Sequence, residues 1–203
     1  VVDAQGRTSD ADVYAVGDMI ELNQGVSGAP TRIPLAGPAN RQGRAVGEHA
    51  ALGSAISPGR AMGTAVVQVF DVNAAITGLS ERAARQLGID FDTAYVSPKH
   101  HAGYYPGAEA MRIKLVYEPR TGRLLGAQAV GGKGVDKRID VVATVLHFGG
   151  SIDDLAQLDL TYAPQFGSAK DAIHLAAFTA QNQRRGMVPA IAPAELRAGD
   201  VQL

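Results

Sequence analysis

The sequence predicts an α+β fold in which an antiparallel sheet carries helices on one side and is preceded by the C-terminal end of an α/β unit. Residues 111–117 place apolar side chains at every second position, as a half-buried strand does. A turn over 118–123 leads into a second apolar run over 124–130, which predicts an antiparallel hairpin. Apolar residues then recur at helical spacing from Val135 to Leu146, which predicts a helix that covers the sheet.

The start of the chain reads as the end of an α/β unit. Residues 12–16 form a short apolar run that ends at Gly17-Asp18, and such a run bounded by glycine predicts a buried strand. Glycine lets a backbone approach a ligand closely, and the Asp18 carboxylate can accept a hydrogen bond from a ligand hydroxyl. As a bare motif, the same residues are equally well explained as a turn that ends a strand.

A loop, a helix and a linker are predicted next. Residues 21–33 are rich in Gly, Asn, Ser and Pro and predict a loop, and a helical pattern begins at Pro34. Pro38 is tolerated in the first helical turn, where backbone N–H groups lack partners in any case. The small, glycine-containing residues of 51–63 predict a domain boundary.

Further elements are predicted around the hairpin. We expect strands over 66–70 and 91–96, a short helix between Ser80 and Gly88, another beginning at Ser151, and a last helix over about 168–183. One face of the last helix is predicted to contain Ala172, Leu175, Ala176 and Thr179. The charged residues within 136–140 most simply form a solvated or subunit-facing helix surface.

Composition excludes several classes of function. The 203 residues carry a formal net charge of −1, so nothing favours binding to nucleic acid or to an anionic membrane. No apolar run reaches the roughly 18 residues that span a bilayer, and the first residues show no leader pattern, so we expect a cytoplasmic protein. The sequence has no cysteine and starts without Met in what reads as the middle of a domain. We therefore expect an excised fragment with no disulfide, thiolate metal site or cysteine nucleophile of its own.

The adjacent pair His100-His101 is the candidate for a metal site. Adjacent side chains rarely point to one ion, and no carboxylate or third histidine stands at ligand spacing. No metal site is therefore predicted.

Two stretches near the start of the chain resemble a flavoprotein motif. Thr-Ser-Asp-Ala-Asp-Val-Tyr-Ala-Val-Gly-Asp ends at Asp18, and Ile-Pro-Leu-Ala-Gly-Pro-Ala-Asn-Arg-Gln-Gly-Arg begins at Ile33. The pair is similar to the second FAD motif of the pyridine nucleotide–disulfide oxidoreductases and the flavin-facing helix that follows it. This resemblance implies that Gly17 and Asp18 contact FAD, with Asp18 holding the ribityl chain. It also implies that the helix starting at Leu35-Ala36 directs its positive end at the flavin.

Three later stretches resemble the branch of that family that contains coenzyme A–disulfide reductases and persulfide reductases. They are His-His-Ala-Gly-Tyr-Tyr-Pro-Gly-Ala at 100–108, the glycine-rich and charged residues of 125–140, and Leu-Thr-Tyr-Ala-Pro-Gln-Phe at 160–166. The middle stretch is typical of the dimerisation domain, and the other two are more particular to the branch. In that branch, two tyrosines reach from one subunit into the partner's active site, near a redox cysteine.

By motif position these tyrosines are Tyr104 and Tyr162, and Tyr105 competes for the first assignment. Ala163 is implied to lie beside the partner's flavin. A phenol is suited to this place because it can hydrogen-bond to, or protonate, a leaving thiolate without carrying charge at neutral pH. The alternative is that both tyrosines are half-buried packing residues with satisfied hydroxyls.

The resemblance implies three segments. Residues 1–55 are the C-terminal segment of an FAD-binding domain, residues 64–182 the dimerisation domain, and residues 183–203 a tail or a linker to a possible further domain. No Gly-x-Gly-x-x-Gly motif and no cysteine occur. The NAD(P)H site and the redox cysteine are therefore expected in an N-terminal part outside this sequence.

The implied function is that of a fragment of a homodimeric, FAD- and NAD(P)H-dependent reductase of small-thiol disulfides or persulfides, with coenzyme A disulfide favoured. The fragment alone is expected to be inactive, since electrons need the missing cysteine to reach a substrate sulfur. Two alternatives remain. One is an NADH oxidase or peroxidase on the same scaffold, whose cysteine cycles through a sulfenic acid. The other is a pure dimerisation module.

Overall fold

The chain divides into two units, Val1–Ala65 and Val66–Leu203, each of which is described by itself. The structure, a computed structural model, describes residues 1–53 and 57–188. The division falls just after the glycine-containing segment 51–63. Most of the expected tail lies outside the described residues.

The first unit is built around one long helix. Its elements are a 3₁₀ turn at Gly17–Met19, β1 at Leu22–Asn23, β2 at Pro30–Thr31 and α1 at Ala36–Leu52. Because β1 and β2 pair antiparallel, the loop prediction for 21–33 is wrong in part. The Gln24 side chain supports this small hairpin, since its Oε1 accepts hydrogen bonds from the N–H groups of Val26 and Ser27.

The buried strand predicted over 12–16 is wrong. Among the described residues of this run, Tyr14 alone pairs, in a single bridge with Arg7, and Val13 is exposed. A strand needs a continuous ladder to a neighbour, and the apolar character of this short run cannot supply one. The run therefore passes as extended chain into the Gly17–Met19 turn.

Helix α1 begins where the sequence predicts. Leu35 is the extended N-cap residue, and Pro38 lies in the first turn, where its missing N–H costs nothing. The helix ends at Gly53, whose left-handed φ of 65° allows its N–H to reach the His49 carbonyl.

The second unit is an antiparallel sheet covered by helices, and this confirms the α+β prediction. Its elements are β3 (Ala65–Val69), β4 (Val72–Gly78), α2 (Glu81–Gln86), β5 (Asp92–Val96), β6 (Met111–Tyr117), β7 (Leu124–Gly131), α3 (Val135–His147), α4 (Ile152–Ala156) and α5 (Ala172–Arg184). The strand order is β3-β4-β7-β6-β5. Helix α3 packs on β4 and β7, helix α5 packs on β5 and β6, and α4 packs on α5.

The core of this unit matches the predicted periodicities. On β6, Met111, Ile113 and Leu115 are buried, and on α3 the four predicted apolar positions between Val135 and Leu146 are buried as well. Each fully buried aliphatic side chain contributes on the order of 1.5–3 kcal/mol. These two elements therefore supply much of the packing that fixes the sheet under its helices.

The strand β4 has no counterpart among the elements that the sequence predicts. Its residues Asn73, Ala74 and Ala75 have low strand propensity, and the strand exists because it pairs with β7 from Asn73↔Gly131 to Gly78↔Gly126. The chain leaves β4 so close to β7 that a Cβ on Gly126 would lie 2.6 Å from the Leu79 nitrogen. Only glycine fits there, and Gly78 at the end of β4 is constrained in the same way, with a φ of 69°.

The last helix starts later than predicted, at Ala172, because Asp171 caps it. The Asp171 carboxylate accepts from the Ile173 N–H, and the Asp171 N–H donates to the His174 ring in a reciprocal capping box. Its buried face also differs from the prediction. Ala172 and Ala176 are buried as predicted, and Leu175 and Thr179 are half-buried. The other buried residues of the helix are Ile173, Ala177 and Ala180.

The charge run in α3 also departs from the prediction of a solvated surface, because Arg138 is only 2% exposed. Its guanidinium pairs with Asp171, which is buried as well. Among the described residues, no helix combines the length and the apolar character that crossing a membrane would need.

Tyr117 makes the second unit sensitive to alkaline pH. Burial, followed by the charge of Asp92, raises the pKa of Tyr117 to about 12, and Arg184 partly offsets this rise. A phenol in the unfolded chain titrates near about 10, so the neutral form stabilises the fold fully below that pH. This contribution is lost as the pH rises from about 10 to about 12.

We therefore expect the Tyr117→Phe variant to lose less stability than the wild-type chain over that range. Urea unfolding at about pH 9 and about pH 11 measures the difference. The exposed Tyr95 provides the control as Tyr95→Phe. Equal losses in the wild-type and Tyr117→Phe chains would contradict the prediction.

Candidate functional site

Two predicted tyrosines meet at the surface of the second unit. Tyr104 lies in the segment between β5 and β6, and Tyr162 lies between α4 and α5. Although they are 58 residues apart in the chain, their hydroxyl oxygens are 3.0 Å apart, within hydrogen-bond distance. Tyr104 is 77% exposed and Tyr162 is 48% exposed. Two phenol groups are thus presented together on an open surface.

The neighbouring Tyr105 has different surroundings. Its ring packs edge-on against His101, with 5.6 Å between the ring centroids, and its N–H donates to the Ala102 carbonyl. It is Tyr104 whose hydroxyl contacts Tyr162. The geometry therefore favours Tyr104 over Tyr105 as the partner of Tyr162.

The contact between the two hydroxyls affects titration. The hydrogen bond with Tyr104 raises the pKa of Tyr162, and desolvation adds to the rise. A phenol keeps its proton at neutral pH in any case, so Tyr162 can donate a hydrogen bond there.

Backbone contacts hold the two tyrosine segments together. The Ala102 N–H donates to the Gly167 carbonyl at 2.8 Å, which joins the segment of Tyr104 to that of Tyr162. Ala163, the residue after Tyr162, is half-buried, and its carbonyl accepts from the N–H groups of Phe166 and Gly167. This turn fixes the part of the chain that directly follows Tyr162.

The first unit packs the Gly17–Met19 turn against α1, the helix that begins after Leu35. Gly17 has a φ of 77°, and its N–H donates to Oε1 of Gln42 at 2.8 Å. Gln42 is a buried residue of α1, so it ties the Gly17–Met19 turn to the helix. The Asp18 carboxylate is exposed beside that anchor.

The N-terminus of α1 is open on its polar side. Leu35 provides no side-chain cap, the first turn carries no acidic residue, and Ala36 is exposed. The free N–H groups and the positive end of the helix dipole favour a ligand atom with negative charge.

His100 and His101 are the adjacent histidines for which the sequence predicts no metal site. Their rings contact each other edge-on at 4.2 Å, and Nδ1 of His100 accepts from the Glu109 N–H. Burial lowers the pKa of His100. Within residues 1–53 and 57–188, no group of three His, Cys, Asp or Glu side chains is arranged to hold a metal ion.

Comparison with known proteins places this geometry in a family. The family model for the pyridine nucleotide-disulphide oxidoreductase dimerisation domain matches residues 64–173. The chain belongs to this family.

Family members that resemble the chain differ in their reactions. Coenzyme A disulfide reductase of Staphylococcus epidermidis is 32% identical over 175 residues, which are 86% of this chain and 40% of that protein. The NAD-dependent persulfide reductase from A. fulgidus is 41% identical with a TM-score of 0.87, covering 92% of this chain and 34% of that one. The water-forming NADH oxidase from Lactobacillus brevis is 26% identical with a TM-score of 0.82, and the match covers 93% of this chain and 42% of that one. The chain thus spans less than half the length of each.

Pyridine nucleotide-disulphide oxidoreductases depend on FAD and NAD(P)H, and the residues of the first unit fit a flavin. The open N-terminus of α1 suits a carbonyl-rich ring that becomes negatively charged on reduction. The exposed Asp18 carboxylate suits a hydroxyl-bearing chain, and Gly17 allows close backbone approach. Ala163, the remaining predicted flavin contact, belongs to the second unit, next to Tyr162.

Sequence reasoning missed three residues that support these groups: Gln42, Arg138 and Asp171. Gln42 is a polar residue at a buried helical position, and Arg138 lies one position before the buried Ile139. Gln42 and Arg138 could have been found because each is a polar or charged residue within the apolar stripe of a helix. Burial of such a group requires a partner. The spacing of residues along the sequence does not show which residue each of them contacts.

Proposed function

We propose that this chain supplies the flavin-facing segment and the dimerisation domain of an FAD- and NAD(P)H-dependent reductase of small-thiol disulfides or persulfides, with coenzyme A disulfide as the favoured substrate. The observation that carries the proposal is the 3.0 Å contact between the exposed hydroxyls of Tyr104 and Tyr162. Similarity to coenzyme A disulfide reductase and to a persulfide reductase supports it.

The tyrosine pair acts on the leaving sulfur. When a disulfide is opened, one sulfur departs as a thiolate and takes the bonding electron pair. A tyrosine O–H donates a hydrogen bond or a proton to that sulfur, and solvent restores the proton. Since a phenol ordinarily titrates near about 10, Tyr162 is in the donating form at neutral pH.

The pair acts in the partner subunit's active site. Both hydroxyls are exposed on the chain that carries them, and that chain has no cysteine to serve. The second unit also exposes apolar side chains that a partner would cover: Val66, Val67, Val69, Phe70 and Val130. Of these, Val67 and Val69 share one face of β3, and exposed apolar side chains on one face are typical of a subunit interface.

Residues of the first unit hold the flavin end of the site. Gln42 fixes the Gly17 backbone. Asp18 would accept hydrogen bonds from the ribityl hydroxyls, and the N-terminus of α1 would hold the pyrimidine ring of the flavin. FAD, when bound, supplies the transfer of electrons from NAD(P)H towards a redox cysteine. That cysteine and the NAD(P)H site belong to sequence beyond these 203 residues, and the chain alone is inactive.

The reaction is tested on the longer flavoenzyme that contains this chain. NAD(P)H oxidation is followed separately with coenzyme A disulfide, with hydrogen peroxide and with oxygen. We expect coenzyme A disulfide to give the highest kcat/KM. A preference for peroxide or oxygen would replace the proposal with the oxidase or peroxidase alternative, which the similarity to the Lactobacillus brevis enzyme favours.

The shared site predicts a dimer. In light scattering on a size-exclusion column, we expect this chain to have about twice its mass of 21.1 kDa. A monomer at micromolar concentration would contradict the placement of Tyr104 and Tyr162 in a partner's site. Two results together would favour the pure dimerisation module: a colourless dimer of this chain, and no reductase activity in the longer protein that contains it.

A further inference from the structure

We propose that the buried ion pair between Arg138 and Asp171 positions the two tyrosine segments, so that the Tyr104 and Tyr162 hydroxyls meet. The inference rests on the proposed function, because that function is what makes the contact between the hydroxyls useful. The contact itself can be tested without it. Arg138 and Asp171 are positioning residues, because neither belongs to the exposed tyrosine surface.

The pair joins three parts of the second unit. Arg138 lies in α3, and its Nε and Nη2 donate to the two carboxylate oxygens of Asp171 at 3.1 and 2.7 Å. The same Nη2 donates to the His100 carbonyl at 2.7 Å. One guanidinium therefore connects the residue that begins α5 to the segment that carries Tyr104.

The Tyr162 segment is held at both ends by the same capping arrangement. Asp171 closes its C-terminal end, and the ring of His174, which accepts from the Asp171 N–H, donates through Nε2 to the Leu158 carbonyl at 2.8 Å. Residues 157–171 contain no helix or strand. The position of Tyr162 thus depends on these few anchors.

The Tyr104 segment depends on the same anchors. Between β5 and β6 it forms one isolated bridge, Lys99↔Ala110, and otherwise follows turns. Arg138 holds its His100 carbonyl, and two residues later the Ala102 N–H donates to the Gly167 carbonyl. The guanidinium and that backbone bond fix one segment against the other.

Energetics supports a positioning role. Burying two charges costs desolvation that their attraction does not reliably repay, so an apolar pair of the same volume would often be as stable. An apolar pair, however, could not direct hydrogen bonds at both a carbonyl and a carboxylate. Arginine is suited to this task because its planar group presents several donors in fixed directions.

The test measures the contact between the tyrosines directly. In the chain with ¹³Cζ-labelled tyrosine, NMR titration gives the pKa of Tyr162. In the wild-type background, Tyr104→Phe should lower that pKa, because it removes the hydrogen bond that raises it. In the Arg138→Lys background, the pKa of Tyr162 should already have fallen towards the ordinary value of a phenol, and adding Tyr104→Phe should change it little.

Arg184→Lys is the matched control, since Arg184 pairs with Asp153 in a more exposed place. In the Arg184→Lys background, Tyr104→Phe should lower the pKa of Tyr162 by as much as it does in the wild-type background. If Arg138→Lys does not fold, the double variant Arg138→Met, Asp171→Asn replaces it, because no unpaired charge is then buried. A folded variant of either kind that keeps the full wild-type response to Tyr104→Phe overturns the proposal.

The titration needs no substrate and no cofactor, so it separates this inference from the proposed function. Full activity of a flavoenzyme lacking both hydroxyls would remove the catalytic role of the tyrosines. It would leave untouched the proposal that Arg138 and Asp171 set their contact.

Discussion

Replacing both Tyr104 and Tyr162 by Phe in the longer flavoenzyme is expected to lower kcat for coenzyme A disulfide by about 100-fold or more, the usual size of a general-acid contribution. The loss follows because no O–H is left to hydrogen-bond to the departing thiolate. The step that reduces the flavin with NAD(P)H should keep its rate, since it involves no leaving sulfur. Stopped-flow measurement of the two half-reactions separates these effects.

The single variants and Tyr105 sharpen this test. Since the two hydroxyls contact each other, the single losses should not add up to the double loss. Tyr105→Phe is the matched control, because its ring packs on His101 and its assignment competes with that of Tyr104. A large loss in Tyr105→Phe together with an unaffected Tyr104→Phe would transfer the role to Tyr105. Full activity in the double variant would end the proposed role of both.

Much of the second unit could be predicted because its elements follow simple periodicities. Met111, Ile113 and Leu115 alternate along β6 and are buried as predicted, although Val116 on the other face is buried too, and the buried positions of α3 follow the helical repeat. Ser151 marks a helix start, and in the structure it forms a capping box with Asp154. In each case, a local pattern and the tertiary packing favour the same structure.

Prediction failed where pairing or burial overrides local preference. β4 is a strand because β7 pairs with it, although Ala74 and Ala75 do not favour one. Arg138 reads as a surface residue because its partner, Asp171, is 33 residues away in the sequence. Neither relation is visible in a local window.

The candidate site could be located from motifs, but its geometry could not be predicted. Resemblance to a family pointed to Tyr104 and Tyr162, and nothing in the sequence shows that their hydroxyls would be 3.0 Å apart. They lie in segments without regular structure, where no repeat fixes side-chain direction. Gln42, which anchors Gly17, has no motif of its own in the sequence analysis.

The Arg138→Met variant is expected to lose about 3–5 kcal/mol of unfolding free energy, because it leaves the Asp171 carboxylate buried without its partner. Methionine roughly replaces the aliphatic part of arginine, but it leaves the space of the buried guanidinium empty, and this adds to the loss. The His100 carbonyl also loses a donor. Urea unfolding of the second unit, followed by circular dichroism, gives the value.

A cycle with Asp171→Asn identifies the cause of this loss. Asparagine keeps an N-cap acceptor for α5 but removes the negative charge. If the unpaired charge dominates, the double variant Arg138→Met, Asp171→Asn should be more stable than Arg138→Met alone, although it differs from the wild-type chain at one more position. Arg85→Met is the surface control, since Arg85 pairs with Glu81 in an exposed place and should cost at most about 0.5 kcal/mol. A double variant less stable than Arg138→Met would show instead that the cap and the carbonyl contact, rather than the buried charge, account for the loss.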